Sequence, residues 1–191
     1  FITAGTVALS ATGNLTGTGV IDISSGATLD TTGSAFALAA GQSLTGDGSV
    51  VGNTTLTAGI LAPGAGTASL DFTGDLALGA ALVSNFEIQK TGITLTSDLA
   101  AASGALTLNG TLNVASLGGV FAPGDTWNLF DASSFAGNFS SVNLPGSPSD
   151  WDISNLSTAG TITFVPEPAG TALALGGLAL LGARRRRRAQ A

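Results

Sequence analysis

The chain has 191 residues, only 9% of them charged, with 28 glycines and no His, Cys, Met or Tyr. That composition lacks the commonest general base, any thiolate nucleophile and any disulfide, while 44% hydrophobic residues is too many for charge-driven disorder. Five of the six basic residues are Arg184 to Arg188, so residues 1–183 hold one lysine against twelve acidic residues, a net charge of −11; nucleic acid is excluded as a partner, because phosphate binding needs clustered cations.

From Phe1 to Phe164 the pattern is short strands and turns. Apolar residues alternate with polar ones, as in Ile21, Ile23 beside Val20, Asp22, then Leu106, Leu108 and Leu112, Val114. Period two marks strands, and the glycines that arrive every few residues mark the turns between them. Loose repeats are visible. Leu15-Thr16-Gly17-Thr18-Gly19 returns as Leu44-Thr45-Gly46-Asp47-Gly48, Gly26-Ala27-Thr28-Leu29 as Gly41-Gln42-Ser43-Leu44, and Leu61-Ala62-Pro63-Gly64 as Phe121-Ala122-Pro123-Gly124. Their offset varies, so a strict array is excluded. Stacked coils with Leu, Val and Ile inside and Thr, Ser and Asn outside predict an all-β solenoid over residues 1–120. A β-sandwich is the alternative.

Residues 121–164 hold seven of the eleven aromatic residues. They predict an atypical cap on the stack, as terminal units of such folds usually are; the sharper alternative is a carbohydrate platform on Trp127 and Trp151. Chemistry is sparse. Lys90 reads as a solvated charge at a strand end rather than a base. The carboxylate pairs Asp71/Asp75 and Asp150/Asp152 have the composition of a glycosidase pair but read more simply as turn and strand-end residues, with Asp150 and Asp152 on one strand face and Trp151 on the other. Asp47 between two glycines, with Asp150 and Asp152, supplies the hard oxygen donors that calcium takes. No catalytic residue and no cofactor is expected.

The tail has three parts in order: Pro166-Glu167-Pro168, an uncharged run over 169–183, and Arg184-Arg185-Arg186-Arg187-Arg188. The prolines stop a strand and keep the chain extended. As a helix the run spans roughly 22 Å at ~1.5 Å per residue, short of a hydrocarbon core of ~30 Å; snorkelling arginines and local thinning make up the difference. The arginines favour the cytoplasmic side, which places the acidic body outside. Export also requires an N-terminal signal, and none precedes Phe1, so the expectation is that a leader, with or without further chain, has been removed.

These three parts resemble the PEP-CTERM sorting signal of bacterial exosortase substrates. The resemblance implies that a membrane-embedded exosortase, a cysteine protease of transpeptidase type, reads and cleaves the tail. The chain would be held transiently in the cytoplasmic membrane by its one helix and then reach the cell envelope, the surface or the extracellular polysaccharide. Leu61-Ala62-Pro63-Gly64, Leu70 to Leu78, Phe86-Glu87-Ile88 and Leu106 to Leu112 are similar to autotransporter-associated β-strand repeats, which implies a right-handed parallel β-helix. The expected function is that of a structural or adhesin-like surface protein, with a carbohydrate-binding module as the second reading and a glycan-active enzyme as the third.

Overall fold

The computed structural model describes residues 1–166. Glu167, Pro168, the uncharged run 169–183 and Arg184 to Arg188 lie outside the described residues, as does the expected membrane helix. Among the described residues no helix is long and apolar enough to cross a membrane.

In chain order the strands are β1 (Thr6–Ala8), β2 (Val20–Ile23), β3 (Thr28–Asp30), β4 (Ser43–Gly46), β5 (Ser49–Val51), β6 (Thr54–Pro63), β7 (Ser69–Thr73), β8 (Leu76–Thr91) and β9 (Thr94–Ser97). They continue as β10 (Leu99–Ala102), β11 (Ala105–Leu108), β12 (Thr111–Gly118), β13 (Thr126–Asn128), β14 (Phe130–Asp131), β15 (Ser134–Gly137), β16 (Ser141–Asn143), β17 (Trp151–Asp152) and β18 (Thr161–Phe164). One α-helical turn, α1 (Leu156–Ala159), precedes β18.

Two parallel sheets take strands alternately as the chain proceeds. One runs β1-β3-β5-β7-β10-β14; the other runs β2-β4-β6-β8-β11-β15, with β12 joining β8 and β16 joining β12. Parallel partners one pass apart are what stacked coils produce and what an antiparallel sandwich does not. The second sheet is bent. The β6–β8 register shifts between Leu56 and Ala58, and at the corresponding corner β11 ends and β12 begins across Asn109-Gly110. From β6 onward each pass therefore lays down three short rungs around one interior, whereas β2-β3 and β4-β5 lay down two.

The interior is filled by the alternating apolar residues. Leu29, Val50, Phe72 and Ala102 stack rung on rung in the first sheet, beside Leu70, Ala100 and Phe130. Ile21, Leu44, Leu61, Ser84, Leu112 and Val142 form the matching column of the second. Small residues sit where a neighbour is large, as Ala100 does between Leu70 and Phe130, and this keeps the column filled without strain.

Pass length is not constant. Thr6 pairs with Thr28 and Ser49 with Asp71, 22 residues apart, whereas Ser69 pairs with Leu99 and Ala100 with Phe130, 30 apart. The first lengthening is a hairpin: β8 overruns the sheet and returns antiparallel as β9, with Ile88 opposite Ser97 and Thr91 opposite Thr94. The second inserts β13, which leaves the stack for a small antiparallel sheet, β13-β18-β17.

That sheet is the cap, but it is not the whole of residues 121–164. β14, β15 and β16 continue the parallel sheets as a last pass, so the body extends well beyond residue 120 and the cap strands are interleaved with it. The expected strand over Asp150-Trp151-Asp152 is also corrected. Asp150 ends a 3-10 turn, Pro148–Asp150, and only Trp151 and Asp152 are in strand conformation; the proline at the start of that turn fixes φ and favours it.

The corner glycines are set by contact as well as by conformation. Gly110 has φ +77°, and a Cβ there would lie 2.3 Å from the Leu82 carbonyl oxygen of the preceding pass. Gly110→Ala is therefore expected to destabilise the body by at least about 1–3 kcal/mol, seen as a lowered urea midpoint at unchanged m-value in circular dichroism. An unchanged midpoint would contradict the close stacking at this corner.

Candidate functional site

Trp127 and Trp151 do not form a platform. They are 1% and 7% exposed, and lie 5.7 Å apart between ring centroids. Phe121 packs edge-on against Trp127 at 4.8 Å, Trp151 at 5.7 Å and Phe164 at 5.6 Å. Both indole N–H groups are used inside the protein, donating to the Gln89 and Pro145 carbonyl oxygens. Rings packed on their neighbours and anchored by their own N–H groups offer no open face to a sugar; their contribution is to the cap, at about 0.5–1.5 kcal/mol per aromatic pair beyond area burial.

Lys90 also departs from expectation. It is not a solvated charge: its Nζ lies 2.6 Å from Asp125 Oδ2, with both side chains only 13–15% exposed. Asp125 accepts the Ala122 N–H as well, at 2.7 Å. That backbone donor first, and Lys90 second, hold the Asp125 carboxyl below its usual range. The pair ties the overrunning end of β8 to the loop that enters the cap. Paired in this way, Lys90 is not available as a free base.

The calcium candidates are divided between two places. Asp47 lines a polar groove of about 560 Å³ with Asp22 and Asp71, where Asp22 accepts the Thr45 hydroxyl and Asp71 the Ser69 hydroxyl. Asp150 and Asp152 belong to the cap, and Asp152 accepts the Ser154 N–H, which lowers its pKa. Among the described residues no group of three or more acidic side chains is arranged to hold a metal ion. Asp75 is also committed: its Oδ1 accepts the Ala105 N–H at 2.8 Å, so it supports a corner of the stack rather than partnering Asp71.

Three buried polar residues stand out that sequence patterning missed. Gln42 donates to the Leu15 and Thr18 carbonyls and accepts the Ala39 N–H, closing the loop of the first pass. Asp98, 1% exposed, accepts the Ala68 N–H at 2.9 Å and the Glu87 N–H at 2.8 Å. It joins the returning hairpin to the pass below. Burial pushes its pKa up to about 7, against the opposing pull of the two N–H donors. Ser84 takes an inward position in the column between Leu61 and Leu112, and its hydroxyl has no partner.

The outer face of the second sheet carries a ladder. Asn113 Nδ2 donates to Asn85 Oδ1 at 2.9 Å, and Asn143 Nδ2 to Asn113 Oδ1 at 2.8 Å. The three occupy matching positions on β8, β12 and β16. They edge a groove of about 310 Å³ that also takes in Ala62, Glu87 and Ala115. The signal was present in the spacing: the three asparagines recur at 28 and 30 residues, the length of the later passes.

No protein-family model matches the chain, and no curated protein or solved structure matches it.

Asp98 gives the body a pH signature. Its folded pKa of about 7 exceeds the ordinary 3.8, so its contribution is fully present below about pH 4 and is lost as pH rises through 7. Urea midpoints are expected to fall between pH 4 and pH 7, and Asp98→Asn to flatten that slope while lowering the midpoint at the acid end. A wild-type midpoint that rises over this window would contradict the assignment. Ser84→Ala, which removes an unpaired buried hydroxyl, is expected to raise stability by about 1 kcal/mol; a loss measured by the same denaturation would mean that the hydroxyl has a partner.

Proposed function

We propose that the chain is an exported structural or adhesin-like protein of the bacterial cell surface or extracellular matrix, sorted by its C-terminal tail. The observation that carries this reading is the order of three elements in the sequence: Pro166-Glu167-Pro168, the uncharged run 169–183, and Arg184 to Arg188. In the proposed mechanism the apolar run arrests export, the arginines fix its orientation with the body outside, and the prolines keep the junction extended for an exosortase-type protease. The body is proposed to be a right-handed β-solenoid. The parallel sheets with alternating strands support that, as does the small antiparallel sheet, where the Gly160 carbonyl just before β18 accepts the Leu129 and Phe130 N–H groups of the last pass. A surface role is supported by the outward rows of Thr, Asn and Asp. The polysaccharide platform on Trp127 and Trp151 is not carried forward, because both rings are buried.

Replacing Pro166, Glu167 and Pro168 together by alanine is expected to stop processing in the native host. The released, truncated species should disappear from the medium and an intact chain accumulate in membranes, as read by intact mass. The circular dichroism of the body should be unchanged. Release at the wild-type mass from the triple variant would overturn the sorting reading.

A further inference from the structure

We infer that the asparagine ladder on β8, β12 and β16 is a binding strip for an extended, uncharged β-1,4-linked polysaccharide lying along the stacking axis. It deepens the surface-protein reading by naming a ligand and a site, and rests on that reading only for its setting.

The amides supply the chemistry. Asn113 uses one N–H toward Asn85 and one lone pair toward Asn143, which leaves one donor and one acceptor over. Asn85 keeps both of its N–H groups, and Asn143 keeps its carbonyl oxygen unladdered. Sugar hydroxyls both donate and accept, so a strip with both kinds of site in sequence suits them. A chain of amides that already hydrogen-bond each other is pre-oriented, which cuts the ordering cost of binding. Their mutual polarisation also strengthens the outward groups.

The spacing supplies the ligand class. Adjacent parallel strands lie ~4.8 Å apart, so the amides repeat along the axis at nearly the per-residue rise of an extended β-1,4-linked chain. A coiled or α-linked glucan does not keep that repeat. The groove has room for a sugar ring beside the ladder, about 310 Å³, with Ala62 and Ala115 as apolar contacts for its C–H face and Glu87 as a further acceptor. Charge then selects among extended glycans. Residues 1–166 contain one cation, Lys90, and it is paired with Asp125; a polyuronate would meet only repulsion.

The test is affinity electrophoresis of the full chain, kept in a polyoxyethylene detergent, through native gels containing hydroxyethylcellulose, dextran or alginate. Any retardation in alginate comes from Arg184 to Arg188 and is the same in all variants; retardation at the strip is expected in hydroxyethylcellulose and not in dextran. Asn113→Leu and Asn113→Ser should each weaken it at least tenfold, with the thermal midpoint close to wild type, while Thr107→Leu on the neighbouring exposed face leaves it unchanged. The inference is overturned by free migration in hydroxyethylcellulose, by equal retardation in hydroxyethylcellulose and dextran, or by retardation in hydroxyethylcellulose that survives both Asn113 variants. Processing of the tail is read independently, so a failure here leaves the sorting reading intact, and a failure of sorting leaves this site intact.

Discussion

Rung-on-rung contact between apolar side chains of successive passes is the constraint on which the rest of the protein depends. A single pass has no second layer to bury its inward face, so each must be covered by the next. Ile21 is covered by Leu44, Leu44 by Leu61, and Leu112 by Val142. Full burial of one such side chain is worth roughly 1.5–3 kcal/mol, and the column repeats that contact along its length. The same stacking brings backbone to within contact distance at the corners. Glycine is then required where a Cβ would meet a carbonyl, as at Gly110 beneath Leu82.

Stacking also creates ends and insertions that need polar fixing. Where β8 overruns into a hairpin, Asp98 reconnects the returning strand to backbone N–H groups of two different segments. Where the chain leaves for the cap, Lys90 and Asp125 form an ion pair, and Trp127 donates to Gln89 on the same overrunning strand. These contacts cluster at departures from the regular pass, which is where backbone groups lose their ladder partners. The outward face, free of packing duties, is left to repeated polar side chains, and the asparagine ladder is the longest hydrogen-bonded run among them.

Strand character was legible in the sequence, because alternation at Ile21, Ile23 and at Leu106, Leu108 reports directly which residues face in. The stacking partners were not. The conspicuous repeats are out of phase with the structure: Leu44 resembles Leu15 in its local motif but stacks on Ile21, and Thr28 and Leu29 lie in the first sheet whereas Ser43 and Leu44 lie in the second. Glycine turns recur several times per pass, so motif similarity finds any corner rather than the corresponding one. The change from 22 to 30 residues per pass hid the asparagine spacing as well. In the cap, aromatic enrichment located the unusual region but not its strands, since Phe130 and Phe135 belong to the last pass. Isolated polar residues such as Asp98 and Ser84 carry no repeat or motif that marks them as inward, and only the three-dimensional path of the hairpin and column buries them.

The stacked parallel arrangement is tested most directly by hydrogen exchange followed by mass spectrometry at peptide resolution. Residues 54–63, 76–91 and 111–118, which pair on both sides or lie mid-stack, should exchange slowest, and residues 6–8, on the outermost strand, much faster. Exchange in the central segments as fast as at residues 6–8 would contradict the stack as the source of the body's stability.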